Sequence, residues 1–288
     1  MKSAPFTYHA PTSVDETVAV FGQYGDEAKV IAGGQSLVPM MALRLARFDH
    51  LVDLHGVEQL RGVQRHDGTL SIGAMTTHRD LERGLAQDVP LLARAAPFIG
   101  HTQIRNRGTV GGSCAHADPS AEWPAVALTL DAEFEVRGPN GGRMIPAADF
   151  FVSTFMTGLE SDEILLGLNI PLWSGRCGYG VAEFARRHGD FAMAGATTAL
   201  QVDEAGRVSR LAIGLIGLGS TPLRAAAAES AAIGADVRNL AVAELARLAV
   251  ANCEPADDIH GDGVYRRQVG AVTVEQALQQ AVEEAGRD

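Results

Sequence analysis

The sequence predicts an α+β chain, with α/β units in its N-terminal part and a helix-covered sheet in its C-terminal part. The first observation is an alternation of short strands, helices and glycine turns over residues 1–175. The second is a run of strands after residue 176 that is followed by alanine-rich helices. The third is a glycine-rich stretch without periodicity, Trp173–Gly180, which marks a boundary. At 288 residues the chain is also longer than one average domain.

The first predicted unit spans residues 1–55 and alternates helix and strand. Ser13 and Glu16 have the spacing of a capping box, which predicts a helix over Val14–Tyr24. A buried strand, a short helical segment and a second strand follow: Lys29–Ala32, Pro39–Arg47 and His50–Leu54. The first of these strands runs directly into a pair of glycines. Because glycine has no side chain, another group can approach the backbone closely at the end of this strand.

The second predicted unit spans residues 56–175, and the third spans residues 176–288. Thr77 is suited to cap a helix over His78–Ala86, and Pro139–Gly142 is a strong hairpin turn. The other elements of the second unit are the strands Thr69–Ala74, Glu133–Arg137 and Ile164–Ile170 and the helices Pro90–Phe98 and Trp123–Leu130. The third unit has strands near Gly180–Phe184, Gly195–Val202 and Val208–Gly217, then helices over Arg224–Ile233, Leu240–Ala251 and Val269–Ala285. That order predicts a sheet with helices packed on one face.

Composition and charge exclude several classes of function. The net charge of −11 argues against nucleic acid as a partner, because its phosphates are repelled. No run of about 18 apolar residues indicates a membrane span, and Met1–Ala10 lacks the basic and apolar stretches of a signal peptide. The three cysteines form no C-x-x-C pair, which argues against an iron–sulfur or zinc site in this chain. The expected location is the cytoplasm.

Two glycine-rich segments carry the strongest functional signal. The first consists of Ile31, Ala32, Gly33, Gly34, Gln35, Ser36 and Leu37. Consecutive glycines after a strand let several N–H groups converge on an anion, whatever the net charge of the chain. Taken alone, this segment is equally well explained by a tight turn that binds no ligand.

The second segment consists of Thr109, Val110, Gly111, Gly112 and Ser113. It again places glycines beside hydroxyl donors, and two such segments can share the two phosphates of a diphosphate. Arg105 and Arg107 precede it, and a solvated basic loop is favoured for both arginines over a pairing with phosphate. The G-x-x-x-x-G-K-[ST] motif of ATP-binding loops is absent, and Gly214–Gly219 lacks the spacing of a dinucleotide fingerprint.

Other polar residues give weaker signals. A loop histidine is more often a surface or packing residue than a catalyst. Of His101, His116 and His188, His116 is the best candidate for a functional role, because it lies within the motif around the second glycine segment. Asp118 and Glu122 can be interpreted as a carboxylate dyad, but nothing else in the sequence completes a hydrolytic site. No catalytic residue and no metal ligand is therefore predicted, which suits a chain whose cofactor performs the redox chemistry.

Four segments resemble, in order along the chain, the FAD-binding medium subunits of molybdenum hydroxylases. They are Ala32–Leu45, Asn106–Pro124, Arg186–Ala192 and Asp257–Arg267. The sequence resembles in particular the aerobic carbon monoxide dehydrogenase type, which includes subunits of N-heterocycle dehydrogenases, and xanthine dehydrogenase carries a related domain. The resemblance implies a vanillyl-alcohol-oxidase-type (PCMH-like) fold. This fold has two N-terminal α/β subdomains and a C-terminal α+β domain of the carbon monoxide dehydrogenase flavoprotein type. FAD would lie between them.

The resemblance also implies roles for individual residues, beginning with both glycine segments at the pyrophosphate and ribitol of FAD. Ile99 and Gly100 would lie on the adenine side of FAD, and Glu122 would bond a ribose hydroxyl. Ala117 and either Leu165 or Leu166 would also contact the cofactor, the leucine by packing on it. Asp190 and Phe191 would approach the isoalloxazine. The family often has tyrosine where this chain has Phe191, so a phenolic hydroxyl is lost there. Some relatives have a lysine near Ala182–Glu183, and this chain lacks that cation.

The function implied by the resemblance is electron transfer within a molybdenum hydroxylase. The expected partners are a large subunit with the molybdopterin cofactor and a small subunit with two [2Fe–2S] clusters, assembled as a dimer of heterotrimers. Electrons from substrate hydroxylation at molybdenum would pass through the clusters to FAD and then to an external acceptor. Carbon monoxide, an N-heterocycle or alkaloid and an aldehyde are candidate substrates; oxygen, quinone, cytochrome and NAD are candidate acceptors.

Two alternatives stay open from the sequence. A stand-alone flavoprotein oxidase or reductase of the same fold would need its own substrate pocket. A scaffold subunit that has lost its cofactor is disfavoured by the two intact glycine segments.

Overall fold

The structure, a computed structural model, describes residues 2–84 and 87–287. These residues form a three-stranded parallel sheet, a five-stranded antiparallel sheet, a four-stranded antiparallel sheet and a two-stranded hairpin. The sheets follow one another along the chain, and helices pack between the second and the third. The predicted α+β class is therefore confirmed.

The three-stranded sheet positions the first glycine segment. Its elements are β1 (Thr7–His9), α1 (Val14–Tyr24), β2 (Ala28–Ile31), α2 (Leu37–Ala42) and β3 (His50–Asp53). The strands are parallel in the order β1-β3-β2, so the carboxyl ends of β2 and β3 lie at one edge. The Ser13 hydroxyl accepts a bond from the Glu16 N–H at 3.2 Å, as predicted for the start of α1. Helix α2 ends well before the predicted Arg47, because Arg44 turns the chain with a φ of 59°.

The five-stranded sheet has the order β4-β5-β10-β6-β7. The elements of this part are β4 (Val63–His66), β5 (Thr69–Gly73), α3 (His78–Glu82), α4 (Pro90–Ala95), α5 (Thr102–Arg105), α6 (Val110–His116), α7 (Glu122–Thr129), β6 (Glu133–Gly138), β7 (Gly141–Pro146), α8 (Ala147–Phe150), β8 (Phe151–Ser153), β9 (Met156–Thr157) and β10 (Ile164–Pro171). Thr77 caps α3 as predicted, while the predicted helix end at Ala86 lies outside the described residues. Strand β4 was not predicted because this edge strand is mostly polar and exposed.

The four-stranded sheet has the order β11-β12-β13-β14. Its elements are β11 (Arg176–Phe184), β12 (Ala194–Val202), β13 (Val208–Ile216), β14 (Leu223–Arg224), α9 (Ala226–Ala232), α10 (Val242–Val250) and α11 (Gly263–Ala285). Helix α11 lies directly on β11, since a Cβ at Gly178 or Gly180 would meet the carbonyl oxygens of Ala281 or Ala277 within 2 Å. Helices of this unit cover one face, as predicted, and α7 covers the other.

Candidate functional site

The first glycine segment leaves β2 with a row of unused backbone donors. Within residues 2–84 and 87–287, no protein group accepts a hydrogen bond from the N–H of Gly33, Gly34, Gln35 or Ser36. Gly34 has a φ of 72°, a left-handed conformation that lets successive N–H groups face one point. The segment therefore forms a concave row of donors of the kind that binds anions.

A cavity of about 360 Å³ opens beside these donors. Ile31–Gln35 of the predicted segment line one side of it. The other lining residues are Val38, Pro39, Asp53, His55 and Arg107. Sequence reasoning missed the contributions of α2 and β3, because only the parallel pairing of β2 and β3 brings Asp53 next to the glycines.

The two predicted glycine segments touch each other. A Cβ added to Gly33 would lie 2.2 Å from the Arg107 carbonyl oxygen and 2.7 Å from the Gly108 Cα. A Cβ added to Gly112 would lie 3.3 Å from the Ala32 side chain. The structure adds a second constraint at Gly33, because another backbone segment approaches it closely.

The second glycine segment is the start of a helix, not a loop. Thr109 is the N-cap of α6, and its hydroxyl accepts a bond from the Gly112 N–H at 3.0 Å. The N–H groups of Val110 and Gly111 donate to the carbonyl oxygens of Thr76 and Ala74, and that of Ser113 donates to Thr109. The backbone donors of residues 110–113 are thus already used within the protein, unlike those of the first segment.

Arg105 is a structural residue and not part of a solvated loop, which corrects the sequence-based interpretation. The residue is 7% exposed, and its guanidinium binds both carboxylate oxygens of Glu82, at 3.0 and 3.2 Å. It also donates to the carbonyl oxygens of Ile99 and Gly100, at 3.2 and 2.9 Å. Arg105 therefore fixes the turn that carries these two predicted adenine-side positions. Arg107, by contrast, is exposed and lines the cavity.

The predicted isoalloxazine contacts lie in the loop between β11 and β12. A Cβ at Gly189 would lie 2.6 Å from the ring of His101, so this loop packs beside the Gly100 turn. The structure thus brings these positions together, although the resemblance assigns them to different ends of FAD. Asp190 and Phe191 follow in the same loop, and the Phe191 side chain is 67% exposed.

The two leucines left open by the sequence have different surroundings. Leu165 is buried in the core of the five-stranded sheet, whereas Leu166 is half-buried beside the apolar cluster that also contacts Ala32. The Leu166 carbonyl oxygen accepts a bond from the Ala74 N–H at 2.8 Å. Ala117, at the end of α6, is buried and adopts a φ of 51°.

Glu122 belongs to a buried pair of carboxylic acids. It opens α7 and is 8% exposed. Burial, together with the charge of Asp118, raises the pKa of Glu122 to about 7. Burial and repulsion by Glu122 raise the pKa of Glu183, on β11, to about 9. The Glu183 Oε2 atom is enclosed and has no hydrogen-bond partner, so a polar group remains unsatisfied near the predicted ribose contact.

Two histidines, His116 and His78, make structural contacts. Burial lowers the pKa of His116, whose ring stacks on Phe155 with centroids 5.0 Å apart. His78, which the sequence did not single out, accepts a bond from the Trp123 indole N–H at 2.8 Å, and burial lowers its pKa to about 3. His78 is therefore neutral and supports α7 against the start of α6. Among the described residues, no group of three or more His, Cys, Asp or Glu side chains could hold a metal ion.

These features fit the diphosphate of a dinucleotide. Four free N–H groups, a cavity beside them and a cation on its wall are the elements that hold a phosphate anion. In the described part of the chain, no helix is both long and apolar enough to span a membrane.

Two family models together match nearly the whole chain. The model of the FAD binding domain in molybdopterin dehydrogenase matches residues 4–173, and that of the CO dehydrogenase flavoprotein C-terminal domain matches residues 180–281. The fold and the site thus define a flavoprotein of the molybdopterin dehydrogenase type.

Individual relatives agree with these matches. The carbon monoxide dehydrogenase medium chain of Hydrogenophaga pseudoflava is 40% identical, over 96% of each chain. Subunit alpha of the 6-hydroxypseudooxynicotine dehydrogenase complex of Paenarthrobacter nicotinovorans is 40% identical, over 99% of this chain and 97% of its own. A solved carbon monoxide dehydrogenase from Hydrogenophaga pseudoflava superposes with a TM-score of 0.95 at 42% identity, covering 99% of each chain. The chain belongs to the family of FAD-binding medium subunits of molybdenum hydroxylases, as its sequence motifs predicted.

Proposed function

We propose that this chain is the FAD-binding electron-transfer subunit of a heterotrimeric molybdenum hydroxylase. The observation that carries the proposal is the row of four free N–H groups, Gly33–Ser36, facing a cavity of about 360 Å³. When bound, FAD accepts electrons and releases them to another acceptor. The chain's own residues bind and orient the cofactor, and none of them is assigned a catalytic role.

We further propose how the predicted site is divided along the chain. Residues 1–55 and 56–175 form two FAD-binding subdomains, and residues 176–288 form a C-terminal α+β domain. The first glycine segment and Thr109–Ser113 hold the pyrophosphate side, the former with its backbone and the latter with the Ser113 hydroxyl. Ile99, Gly100, Ala117, Glu122 and Leu166 line the path of the cofactor, and Asp190 and Phe191 approach the ring.

The proposed partners are an iron–sulfur subunit with two [2Fe–2S] clusters and a large subunit with the molybdopterin cofactor. The assembly is a dimer of heterotrimers in the cytoplasm. The names of the relatives support carbon monoxide or an N-heterocyclic alkaloid derivative as the substrate class of the complex. An aldehyde is a further candidate, and in each case substrate is oxidised on the large subunit.

Purification through an affinity tag on this chain, from its own host, tests the proposal. We expect two other subunits to copurify in equal amounts. The complex should contain molybdenum and four iron atoms for the two [2Fe–2S] clusters of the small subunit. Isolation of a lone flavoprotein that oxidises a substrate by itself would support a stand-alone enzyme and contradict the subunit role.

The Phe191→Ala variant tests contact with the flavin ring. Because Phe191 is 67% exposed and lies in a loop, its removal is expected to change FAD affinity by less than about 10-fold. The flavin absorption maximum and reduction potential should shift, since an apolar face next to the ring is lost. Phe6→Ala removes a ring that is 37% exposed in the first subdomain and serves as the control. An unchanged potential in Phe191→Ala would place this side chain away from the ring.

A further inference from the structure

The cavity beside the first glycine segment combines free backbone N–H groups, a carboxylate and an arginine. The free N–H groups of Gly33–Ser36 are neutral dipoles. The Asp53 carboxylate adds negative charge to the same cavity, although it accepts bonds from the Tyr8 hydroxyl at 2.5 Å and the His55 N–H at 2.9 Å. Of the described residues that line the cavity, Arg107 is the one with a permanent positive charge.

The start of α6 adds no free N–H group from residues 110–113 to this site. The N–H groups of residues 110–113, in the second glycine segment, donate to acceptors within the protein. The free backbone donors are therefore concentrated on the first segment and not divided equally between the two glycine segments. A side chain near the contact between Gly33 and Gly108 is placed to supply a second anchor.

Arg107 occupies that position with its backbone fixed and its side chain free. Its N–H donates to the Ile104 carbonyl oxygen at 3.1 Å, and its own carbonyl oxygen abuts Gly33. Across the described part of the chain, its guanidinium makes no ion pair or hydrogen bond. Arg105, two residues earlier, is fully paired with Glu82 and backbone carbonyls. An exposed arginine held at a cavity wall without a partner is available to a ligand.

We propose that Arg107 is the cationic anchor of the FAD diphosphate, completing the anion site that the free N–H groups of Gly33–Ser36 begin. The inference rests on the proposed function, because it assumes that FAD occupies this cavity. A guanidinium presents several donors in one plane and suits phosphate oxygens, and its hydrogen bonds to an anion are stronger than those of neutral donors.

Equilibrium titration of the FAD-free full chain with FAD tests the inference, with riboflavin as a probe that lacks phosphate. Arg107→Gln is expected to weaken FAD binding by about 10- to 100-fold, the effect of losing a hydrogen bond to a charged group. Riboflavin binding should not change. Raising the salt concentration should weaken FAD binding to the wild-type chain more than to Arg107→Gln, because a charge interaction is screened. Arg107→Lys should recover part of the affinity.

Arg207→Gln is the matched control, since Arg207 is an exposed arginine of the C-terminal unit whose ion pair with Asp203 is 3.8 Å long. It should bind FAD like the wild type. If Arg107→Gln does not fold, as judged by thermal unfolding without ligand, Arg107→Met gives the same comparison. Equal FAD affinity and equal salt dependence in the wild type and the Arg107 variants would overturn the inference and leave the proposed function intact. Failure of the wild-type chain to bind FAD would overturn both.

Discussion

Replacing Gly33 with valine is expected to abolish FAD retention, and the cause is a clash between protein segments. The new Cβ would lie 2.2 Å from the Arg107 carbonyl oxygen, which is backbone and cannot rotate away. The two segments would have to separate, and the free N–H groups of the first segment would move from the cavity wall. Since the same shift displaces Arg107, both proposed anchors of the diphosphate are lost together.

The flavin content of the purified chain, measured after acid release, checks this expectation. Gly22→Val is the matched control, because Gly22 is exposed in α1 and a Cβ there has its nearest neighbour at 3.7 Å. The control should retain wild-type flavin despite the same change of residue. A folded Gly33→Val chain with normal flavin content would show that contact between the two segments is not needed for binding.

Replacing Glu183 with glutamine is expected to flatten the pH dependence of stability in the FAD-free chain. The pKa values of Glu183 and Glu122 in the folded chain, about 9 and about 7, both exceed the value of 4.5 for an unperturbed glutamate. The folded chain therefore binds more protons than the unfolded chain between pH 4.5 and 9. The free energy of unfolding consequently falls as the pH rises through that window, by up to about 1.4 kcal/mol per pH unit for each group.

Denaturant unfolding at a series of pH values measures this slope. Glu183→Gln keeps the shape of the side chain but cannot ionise, so above pH 8 it should be more stable than the wild type by at least about 1 kcal/mol. Glu135→Gln, at an exposed position of β6, is the control and should leave the slope unchanged. A Glu183→Gln chain that loses stability as steeply as the wild type would contradict the buried-pair interpretation.

The sequence predicted the main helices and strands in their order where local signals were clear. The Ser13–Glu16 spacing, the turn at Pro139–Gly142 and the alanine-rich helices each depend on neighbouring residues alone. The first glycine segment was recognised for the same reason, since a strand that ends in Gly33-Gly34 is a local pattern.

What the sequence could not predict depends on contacts between distant segments. Glycines dominate the N-terminal turn of α6, so the sequence does not indicate a helix there, and the acceptors of its first N–H groups, at Thr76 and Ala74, are distant in the sequence. Arg105 and Arg107 look alike in the sequence, yet one is buried against Glu82 and the other lines the cavity. The raised pKa of Glu183 could not be predicted from neighbouring residues, because Glu122, which repels it, is 61 residues away in the sequence. The two side chains interact through the packing of α7 on the third sheet.

The stoichiometry of FAD on the isolated chain tests the central claim most directly. The full chain, expressed alone and titrated with FAD, should bind one equivalent with the absorption of a protein-bound flavin, and Gly33→Val should bind none. A wild-type chain that stays colourless at saturating FAD, or a native complex whose FAD remains with another subunit, would contradict the assignment of the flavin site to this chain.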